Sequence, residues 1–318
     1  MAHSVLVVGA TGKQGAAVVK SLLHSEDASL VVHALTRDAS TPRAQALAAS
    51  DPRLRLVQGD QLKPDAIFAQ LPEGSISALF LITVPPKEEP QAIPFIDAAL
   101  AHGVRHIVYS SVDRGGDERS WSNPTHIKHF AEKLTIELHL RDAVKKATQA
   151  GPNNSNKPVT WTILRPVAFM DNYNPGYFVA GAFVSMLSIT MKPSTKLQLV
   201  ATSDIGRWAA KSIEAALADQ ADGTAVSPYA NRAIGLAGDN LTLGEARAIF
   251  QRVVGHPTPW ALWIVGKLVL LLVPDIKTMF TWFDEEGYGV DIAARQGEVP
   301  GVSSFETWLR NESQWKIE

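Results

Sequence analysis

A glycine-rich turn near the N-terminus constrains the fold of this chain more than any other feature. Gly9, Gly12 and Gly15 lie where an apolar run at residues 5–8 passes into a helical pattern at residues 12–23. After a strand, the first such glycine permits a sharp bend, the second a close backbone approach to a ligand, and the third close packing of helix on strand. The free N–H groups of a helix start, with their partial positive charge, favour phosphate. The strand–turn–helix context therefore favours a pyrophosphate site over a turn used for packing alone. The predicted site comprises Gly9, Ala10, Thr11, Gly12, Lys13, Gln14 and Gly15.

Short apolar runs alternate with helical patterns through the first half of the chain. They predict six strands, at residues 5–8, 30–36, 54–58, 79–84, 105–110 and 159–164. Apolar strands separated by helices are typical of a parallel sheet buried on both faces, and right-handed crossovers make it doubly wound. We therefore expect an α/β chain with a Rossmann-fold nucleotide-binding domain at residues 1–165. Beyond it the alternation weakens, and residues 166–318 are expected to form a smaller, mostly helical, substrate-binding part.

Helical signals continue beyond the fifth predicted strand. A long helix is predicted at about residues 125–147, followed by a surface loop at residues 149–157 that is rich in turn-forming residues. Two segments of the form Ser/Thr-x-x-Glu predict capping boxes that begin at Thr242 and Ser303.

Residues 260–273 form a strongly apolar run that Lys267 interrupts. A membrane-spanning helix needs about 20 apolar residues, so this run is too short. We expect a buried or interfacial helix of the fold here, with a contact to a membrane surface or to another subunit as alternatives.

Composition excludes several classes of site. The chain has 318 residues, a formal net charge of −2 and no cysteine, which excludes disulfides, thiolate nucleophiles and cysteine-based metal sites. The histidines show no spacing with a matching third ligand, so no metal site is predicted. A net charge near zero does not indicate direct binding of nucleic acid. The N-terminus runs into the first strand without a basic segment or cleavage site, so we expect a cytoplasmic location, and also a nuclear one for a regulator.

The end of the second predicted strand distinguishes NADP from NAD. An acidic side chain there would bind the ribose 2′-hydroxyl of NAD, whereas an Arg would accommodate the 2′-phosphate of NADP. Arg37 follows this strand, with Lys13 as a second cation, and a guanidinium can hold two phosphate oxygens at once. We therefore predict NADP(H), although Asp38 pointing inward would favour NAD. Asp60, after the third strand, is predicted either to accept from the adenine amino group or to bond its own turn.

The sequence resembles the NmrA-like family of atypical short-chain dehydrogenases/reductases. The similar segments are GATGKQG, LTRD, QGD, IVYSSV, HFAEK, TILRPVAFMDNY and the C-terminal GYGVDI with SSFETWL, and the similarity covers nearly the whole chain. The resemblance implies that the glycine turn binds the pyrophosphate, Arg37 the 2′-phosphate and Asp60 the adenine. Further cofactor-binding residues that it implies are Ile82 and Thr83 beside the cofactor, Lys133 at the nicotinamide ribose, and Ala168, Phe169, Met170 and Asp171 at the nicotinamide end.

The catalytic residues of ordinary short-chain dehydrogenases are only partly present. Those enzymes use a Ser together with a Tyr and a Lys four residues apart on one helix face, where the Lys holds the ribose and the Tyr transfers the proton. Here Lys133 is kept, Ser111 lies where the Ser is expected, and His129 replaces the Tyr. A neutral imidazole can shuttle a proton near neutral pH, so these three residues are the predicted catalytic set. Tyr173 is an alternative phenol, with packing among helices as its other interpretation.

Two functions are consistent with these residues. The first is an NADP-dependent oxidoreductase of a small carbonyl or conjugated substrate, in which Lys133 fixes the ribose and His129 or a water delivers the proton. The second is a catalytically silent regulator that senses NADP(H) and binds a partner protein according to nucleotide state. The resemblance allows both, because the family contains proteins of both kinds.

Overall fold

The computed structural model describes residues 3–25, 27–149, 158–175, 178–222, 227–259, 263–295, 297–299 and 301–317. The chain forms two compact units, each built from several stretches of sequence. The first comprises Met1–Ser111, Glu132–Arg165 and Ile205–Ile234, and the second comprises Val112–Ala131, Pro166–Asp204 and Gly235–Glu318. The surface loop predicted at residues 149–157 lies, from residue 150 onward, outside the described residues.

A seven-stranded sheet is the framework of the first unit. Its strands are β1 (Ser4–Val7), β2 (Val31–Thr36), β3 (Leu54–Gln58), β4 (Ala78–Ile82), β5 (His106–Ser110), β6 (Thr160–Pro166) and β9 (Arg232–Leu236). The strand order is β3-β2-β1-β4-β5-β6-β9, and every neighbouring pair from β3 to β6 is parallel. The order reverses between β1 and β4, which is where ligands of doubly wound sheets bind. The predicted fold is confirmed, and each of the six predicted strands is present within two residues at either end.

The central strands are covered on both faces. Val5, Leu6 and Val7 of β1 are inaccessible to solvent, and so are Leu79 and Leu81 of β4. Because consecutive side chains of a strand point to opposite faces, their complete burial means that both faces of the sheet are packed against other elements.

Helices connect these strands. They are α1 (Lys13–Leu23), α2 (Pro42–Ala49), α3 (Pro64–Phe68), α4 (Glu89–Ala101), α5 (Lys128–Gln149) and α7 (Thr202–Asp222). Helix α5 starts three residues later than predicted because Thr125 has a φ of 60°, a left-handed conformation that a helix does not continue. The Thr125 hydroxyl instead accepts the N–H of Ile127 at 3.1 Å.

The second unit combines helices with a small sheet that the sequence did not predict. The sheet has the order β10-β8-β7, with β7 at Ala168–Phe169, β8 at Lys196–Val200 and β10 at Asp239–Thr242. Its helices are α6 (Phe178–Thr190), α8 (Leu243–Val254), α9 (Trp263–Leu272), α10 (Pro274–Glu285), α11 (Ile292–Arg295) and α12 (Phe305–Asn311). The prediction of a mostly helical C-terminal part is confirmed.

One of the two predicted capping boxes is confirmed. The Thr242 hydroxyl accepts the N–H of Glu245, and the Glu245 carboxylate accepts the N–H of Thr242 at the start of α8. The box predicted at Ser303 is wrong by one residue, because Ser304 caps α12 by accepting the N–H of Thr307.

The apolar run at residues 260–273 contains helix α9 and is only partly buried. Gly266 and Leu270 are buried, but Leu271 is 76% exposed and Leu272 68% exposed. Residues 260–262 lie outside the described part of the chain. Among the described residues, no helix is long and apolar enough to cross a membrane.

Candidate functional site

The glycine turn has the closed form that its sequence predicts. Gly9 adopts a φ of +68°, which glycine reaches without strain, and its carbonyl accepts the N–H of Gly12 at 2.8 Å. A Cβ added to Gly15 would lie 2.2 Å from the same carbonyl oxygen. A side chain at Gly15 would therefore separate α1 from the turn.

The turn leaves the start of α1 open for an anion. Gly12 is the N-cap residue and has no side chain with which to cap α1, and the first turn of α1 contains no acidic residue. Lys13 is exposed, and free helical N–H groups beside a cation suit phosphate. Gln14 is held in place, since its Oε1 accepts the hydroxyl of Ser110 at 2.7 Å.

Arg37 and Asp38 follow β2 with different surroundings. Arg37 is exposed. The Oδ1 atom of Asp38 accepts both the N–H and the hydroxyl of Ser40, at 2.8 Å and 2.7 Å. These hydrogen bonds hold the pKa of the Asp38 carboxyl below its usual value. Asp38 is thus engaged in its own turn.

Asp60, after β3, also bonds within its own turn. It is exposed, its Oδ1 accepts the N–H of Leu62 at 3.0 Å, and its carbonyl accepts the N–H of Lys63 at 2.8 Å. This geometry matches the interpretation of Asp60 as a turn residue. The contact between Asp60 and the adenine amino group stays a prediction.

Lys133 lies in a buried polar cluster at the carboxyl end of β4. Its Nζ is 2.6 Å from Oε2 of Glu88 and 3.2 Å from the hydroxyl of Thr83. The Thr83 hydroxyl also donates to Glu88 Oε2, and the ring of Tyr109 lies 5.6 Å from Nζ. We call Thr83, Glu88, Tyr109 and Lys133 the Lys133 cluster. All four residues are less than 9% exposed.

Sequence reasoning missed Glu88. It is fully buried and directly precedes α4, where an acidic residue is ordinarily explained by its favourable interaction with the helix start. A pair between residues so far apart along the chain leaves no local signal, so only the structure identifies the carboxylate that faces Lys133.

The other two predicted catalytic residues lie on different elements. Ser111 follows strand β5, and His129 is on the same helix as Lys133. Ser111 directly follows β5, is buried, and donates its N–H to Leu164 at 2.8 Å. His129 lies on α5, one helical turn before Lys133, and is partly exposed. Its ring packs edge-on against Phe130, with a centroid distance of 4.7 Å.

The sheet brings most predicted cofactor residues to one edge. The glycine turn, Arg37, Asp60 and the pair Ile82–Thr83 follow or end four parallel strands, and the carboxyl ends of parallel strands share an edge. Ile82 also contacts the turn, since a Cβ added to Gly9 would lie 2.9 Å from its Cγ2.

The residues predicted at the nicotinamide end belong to the second unit. Ala168 and Phe169 form β7, and Met170 is fully buried. The Asp171 carboxylate accepts the N–H and the hydroxyl of Thr202, at 3.2 Å and 2.9 Å. Asp171 therefore bonds the first residue of α7.

Tyr173 is a packing residue rather than an available phenol. It is 1% exposed and packs edge-on against Phe183 and Phe305, with ring centroids 5.4 Å and 4.9 Å away. Burial raises the pKa of its hydroxyl, which disfavours proton transfer near neutral pH. The packing interpretation is confirmed.

Within the part of the chain that the structure describes, no group of three or more His, Asp or Glu side chains could hold a metal ion.

Comparison with known sequences identifies one family. The model of the NmrA-like family matches residues 1–309. The chain is similar to the NmrA-like family domain-containing oxidoreductase ptmS of Penicillium ochrochloron. The two are 29% identical over 189 residues, which cover 56% of this chain and 51% of that protein. The chain spans about half the length of the curated relatives it matches.

Two solved structures of different function share the fold. An NADPH-dependent quinone oxidoreductase of Escherichia coli, complexed with NADPH, is 20% identical with a TM-score of 0.65 over 96% of this chain and 98% of that chain. NmrA, a negative transcriptional regulator in complex with NADP, is 16% identical with a TM-score of 0.64 over 98% of this chain and 96% of that chain. At these identities the likeness shows the fold alone.

Proposed function

The chain belongs to the NmrA-like family, and from this premise we propose that it binds NADP(H) and reduces a small carbonyl or conjugated organic substrate. Curated relatives that match about half of this chain are named oxidoreductases. The quinone oxidoreductase of the same fold was solved with NADPH. These likenesses support a dinucleotide-dependent reduction.

The glycine turn carries the proposal. Gly9 and Gly15 approach so closely that a Cβ at residue 15 would lie 2.2 Å from the carbonyl oxygen of Gly9. The N-cap residue Gly12 has no side chain to bond the N–H groups at the start of α1. A diphosphate fits this arrangement because it accepts several N–H donors and interacts favourably with the partial positive charge of the helix start.

The residues after β2 support NADP(H) rather than NAD(H). Arg37 is exposed, so its guanidinium can reach a 2′-phosphate and hold two of its oxygens. Asp38, which would bind a ribose 2′-hydroxyl, has Oδ1 engaged by Ser40.

The reduction needs a held ribose and a proton. When bound, NADPH supplies the hydride. In the proposed site the Lys133 ammonium donates to the nicotinamide ribose, and His129, or a water that it orients, gives a proton to the substrate atom. Ser111 would donate its hydroxyl to the substrate oxygen, and residues 168–171 would lie at the nicotinamide end.

Titration of the purified chain with NADPH and with NADH tests the cofactor assignment. Arg37→Ala is expected to weaken NADPH binding by about tenfold or more, because a charge-assisted contact to the 2′-phosphate is lost, and to leave NADH binding unchanged. Arg141→Ala, which removes an exposed guanidinium from α5, is the matched control. If NADH binds as tightly as NADPH and Arg37→Ala changes neither, the assignment is wrong.

A nucleotide-sensing regulator is the second candidate function. His129 stands where ordinary short-chain dehydrogenases have a Tyr, and a negative transcriptional regulator shares the fold. NADPH oxidation on a panel of quinones and other carbonyl compounds separates the two candidates. Turnover that His129→Ala lowers by about tenfold or more, with NADPH binding retained, supports the enzyme. Capture of a protein partner that depends on NADPH, with no turnover on the panel, supports the regulator.

A further inference from the structure

The Glu88–Lys133 pair retains hydrogen-bonding capacity that its protein neighbours do not use. An ammonium has three N–H donors, and among the described residues Glu88 Oε2 and the Thr83 hydroxyl accept two of them. Within the part of the chain that the structure describes, Oε1 of Glu88 is buried and has no hydrogen-bond partner. A buried acceptor without a partner costs free energy, so its retention calls for a function other than stability.

A second buried pair, between α5 and β6, shows what complete pairing looks like. Glu137 and Arg165 are both fully buried. Oε1 of Glu137 accepts from Nε of Arg165 at 3.2 Å, and Oε2 accepts from its terminal nitrogen at 2.7 Å. This pair uses both carboxylate oxygens on one guanidinium, whereas the Glu88 carboxylate presents only one oxygen to Lys133.

The position of Glu88 is fixed by the chain around it. Lys87, just before it, has a φ of 66°, which is uncommon for a residue with a side chain. The N–H of Glu88 donates to Oε2 of Glu132 at 2.6 Å. Because Glu132 is the neighbour of Lys133 on α5, the backbone and the carboxylate of Glu88 both bind the same turn of that helix.

We propose that Glu88 is the positioning residue of Lys133 for nucleotide binding. Its carboxylate pairs with the buried ammonium and holds it against Thr83, so that the third N–H of Lys133 is available to a hydroxyl of the nicotinamide ribose. The inference rests on the proposed NADP(H) function and adds the group that prepares the lysine. In ordinary short-chain dehydrogenases the Lys works with a Tyr four residues earlier, whereas here the counter-charge comes from the residue before α4.

A double-mutant cycle with two probes tests this role. NADPH contains the nicotinamide ribose, and adenosine 2′,5′-bisphosphate lacks it. Glu88→Gln and Lys133→Met are each expected to raise the Kd for NADPH by about tenfold, the usual effect of one lost charge-assisted hydrogen bond. Neither change is expected to alter the Kd of adenosine 2′,5′-bisphosphate. Because Glu88 acts through Lys133, the double variant should bind NADPH as weakly as Lys133→Met alone.

Glu137→Gln is the matched control, since it breaks another buried carboxylate–cation pair, whose carboxylate lies on the same helix as Lys133. It is expected to lower the melting temperature and to leave the Kd of NADPH unchanged. Should Glu88→Gln be too unstable to titrate, Glu88→Asp takes its place in the cycle, because it keeps the charge and shortens the side chain.

The outcomes are distinct. An unchanged NADPH affinity in the Glu88 variant, additive losses in the cycle, or an equal loss for Glu137→Gln would overturn the positioning role. If the wild-type chain binds neither probe, the proposed function itself is wrong. If it binds both probes equally tightly, Lys133 makes no ribose contact and the inference is wrong while the phosphate site stands.

Discussion

Gly15→Ala tests whether the start of α1 closes directly on the glycine turn. In the interior of a helix, Ala is more favourable than Gly by about 1 kcal/mol, so an unconstrained position would gain stability from this change. At Gly15 the added Cβ would lie 2.2 Å from the carbonyl oxygen of Gly9 and 2.9 Å from the nitrogen of Ala10. Ordinary carbon–oxygen contacts lie at about 3.3–3.6 Å, so helix and turn have to separate by about 1 Å.

The cost of that separation outweighs the helix preference. An extra carbon in a packed interior costs about 1–3 kcal/mol, and the upper end applies here because the opposing atoms belong to the backbone and cannot rotate away. After subtraction of the gain from Ala, we expect the free energy of unfolding to fall by about 2 kcal/mol. At about 2.1 cal/mol/K of unfolding entropy per residue, that lowers the melting temperature of this 318-residue chain by about 3 °C.

Gly12→Ala provides the comparison, measured by thermal unfolding followed by circular dichroism and by NADPH titration. The Cβ at residue 12 would lie 3.2 Å from the same oxygen, and its extended backbone (φ −82°, ψ 175°) suits any residue. We expect a stability loss of at most about 1 kcal/mol but at least about a tenfold loss of NADPH affinity, because the methyl group meets the pyrophosphate. A Gly15→Ala variant that melts at or above the wild-type temperature would refute the close contact between α1 and the turn.

Two further predictions concern stability. Leu270→Ala is expected to lower the free energy of unfolding by about 2–4 kcal/mol, because Leu270 is only 7% exposed. Leu271→Ala should change it by no more than about 0.5 kcal/mol, because Leu271 is 76% exposed. Equal effects of the two changes in chemical denaturation would contradict the orientation of α9. Burial lowers the pKa of His106 to about 3 from its ordinary 6.5, so below pH 6.5 the unfolded chain takes up a proton that the folded chain does not. The contribution of that site should therefore lower the free energy of unfolding by about 1.4 kcal/mol per pH unit as the pH drops from about 6.5 toward 3. A His106→Asn variant whose melting temperature depends on pH as steeply as that of the wild type would contradict this.

Features whose determinants lie within a few residues could be predicted from the sequence. The glycine turn depends on three glycines between a strand and a helix, and the capping box at Thr242 depends on Glu245 alone. The alternation of apolar strands and helices was sufficient for the doubly wound sheet, because a parallel sheet buried on both faces requires nearly continuous apolar strands.

Features set by distant residues could not be predicted. Ser303 has the same local pattern as Thr242, but its N–H donates to Oδ2 of Asp204 at 3.1 Å and its hydroxyl donates to Glu312 at 3.0 Å. With both groups engaged elsewhere, the cap of α12 moves to Ser304. The small sheet of the second unit escaped prediction for a related reason, since β7 has only two residues and pairs with β8, which lies far from it in sequence.

The partner of Lys133 shows where residue spacing stops being informative. Spacing on a helix directs attention to His129, because residues four apart share a face. The acid at the start of α4 has no such signal, since Glu at a helix start is ordinary. Burial is what distinguishes Glu88: a fully buried carboxylate has to be paired, and its Oε2 lies 2.6 Å from the Lys133 ammonium. The placement of the Lys133 ammonium therefore follows from its contact with residue 88, which the spacing of residues on α5 does not reveal.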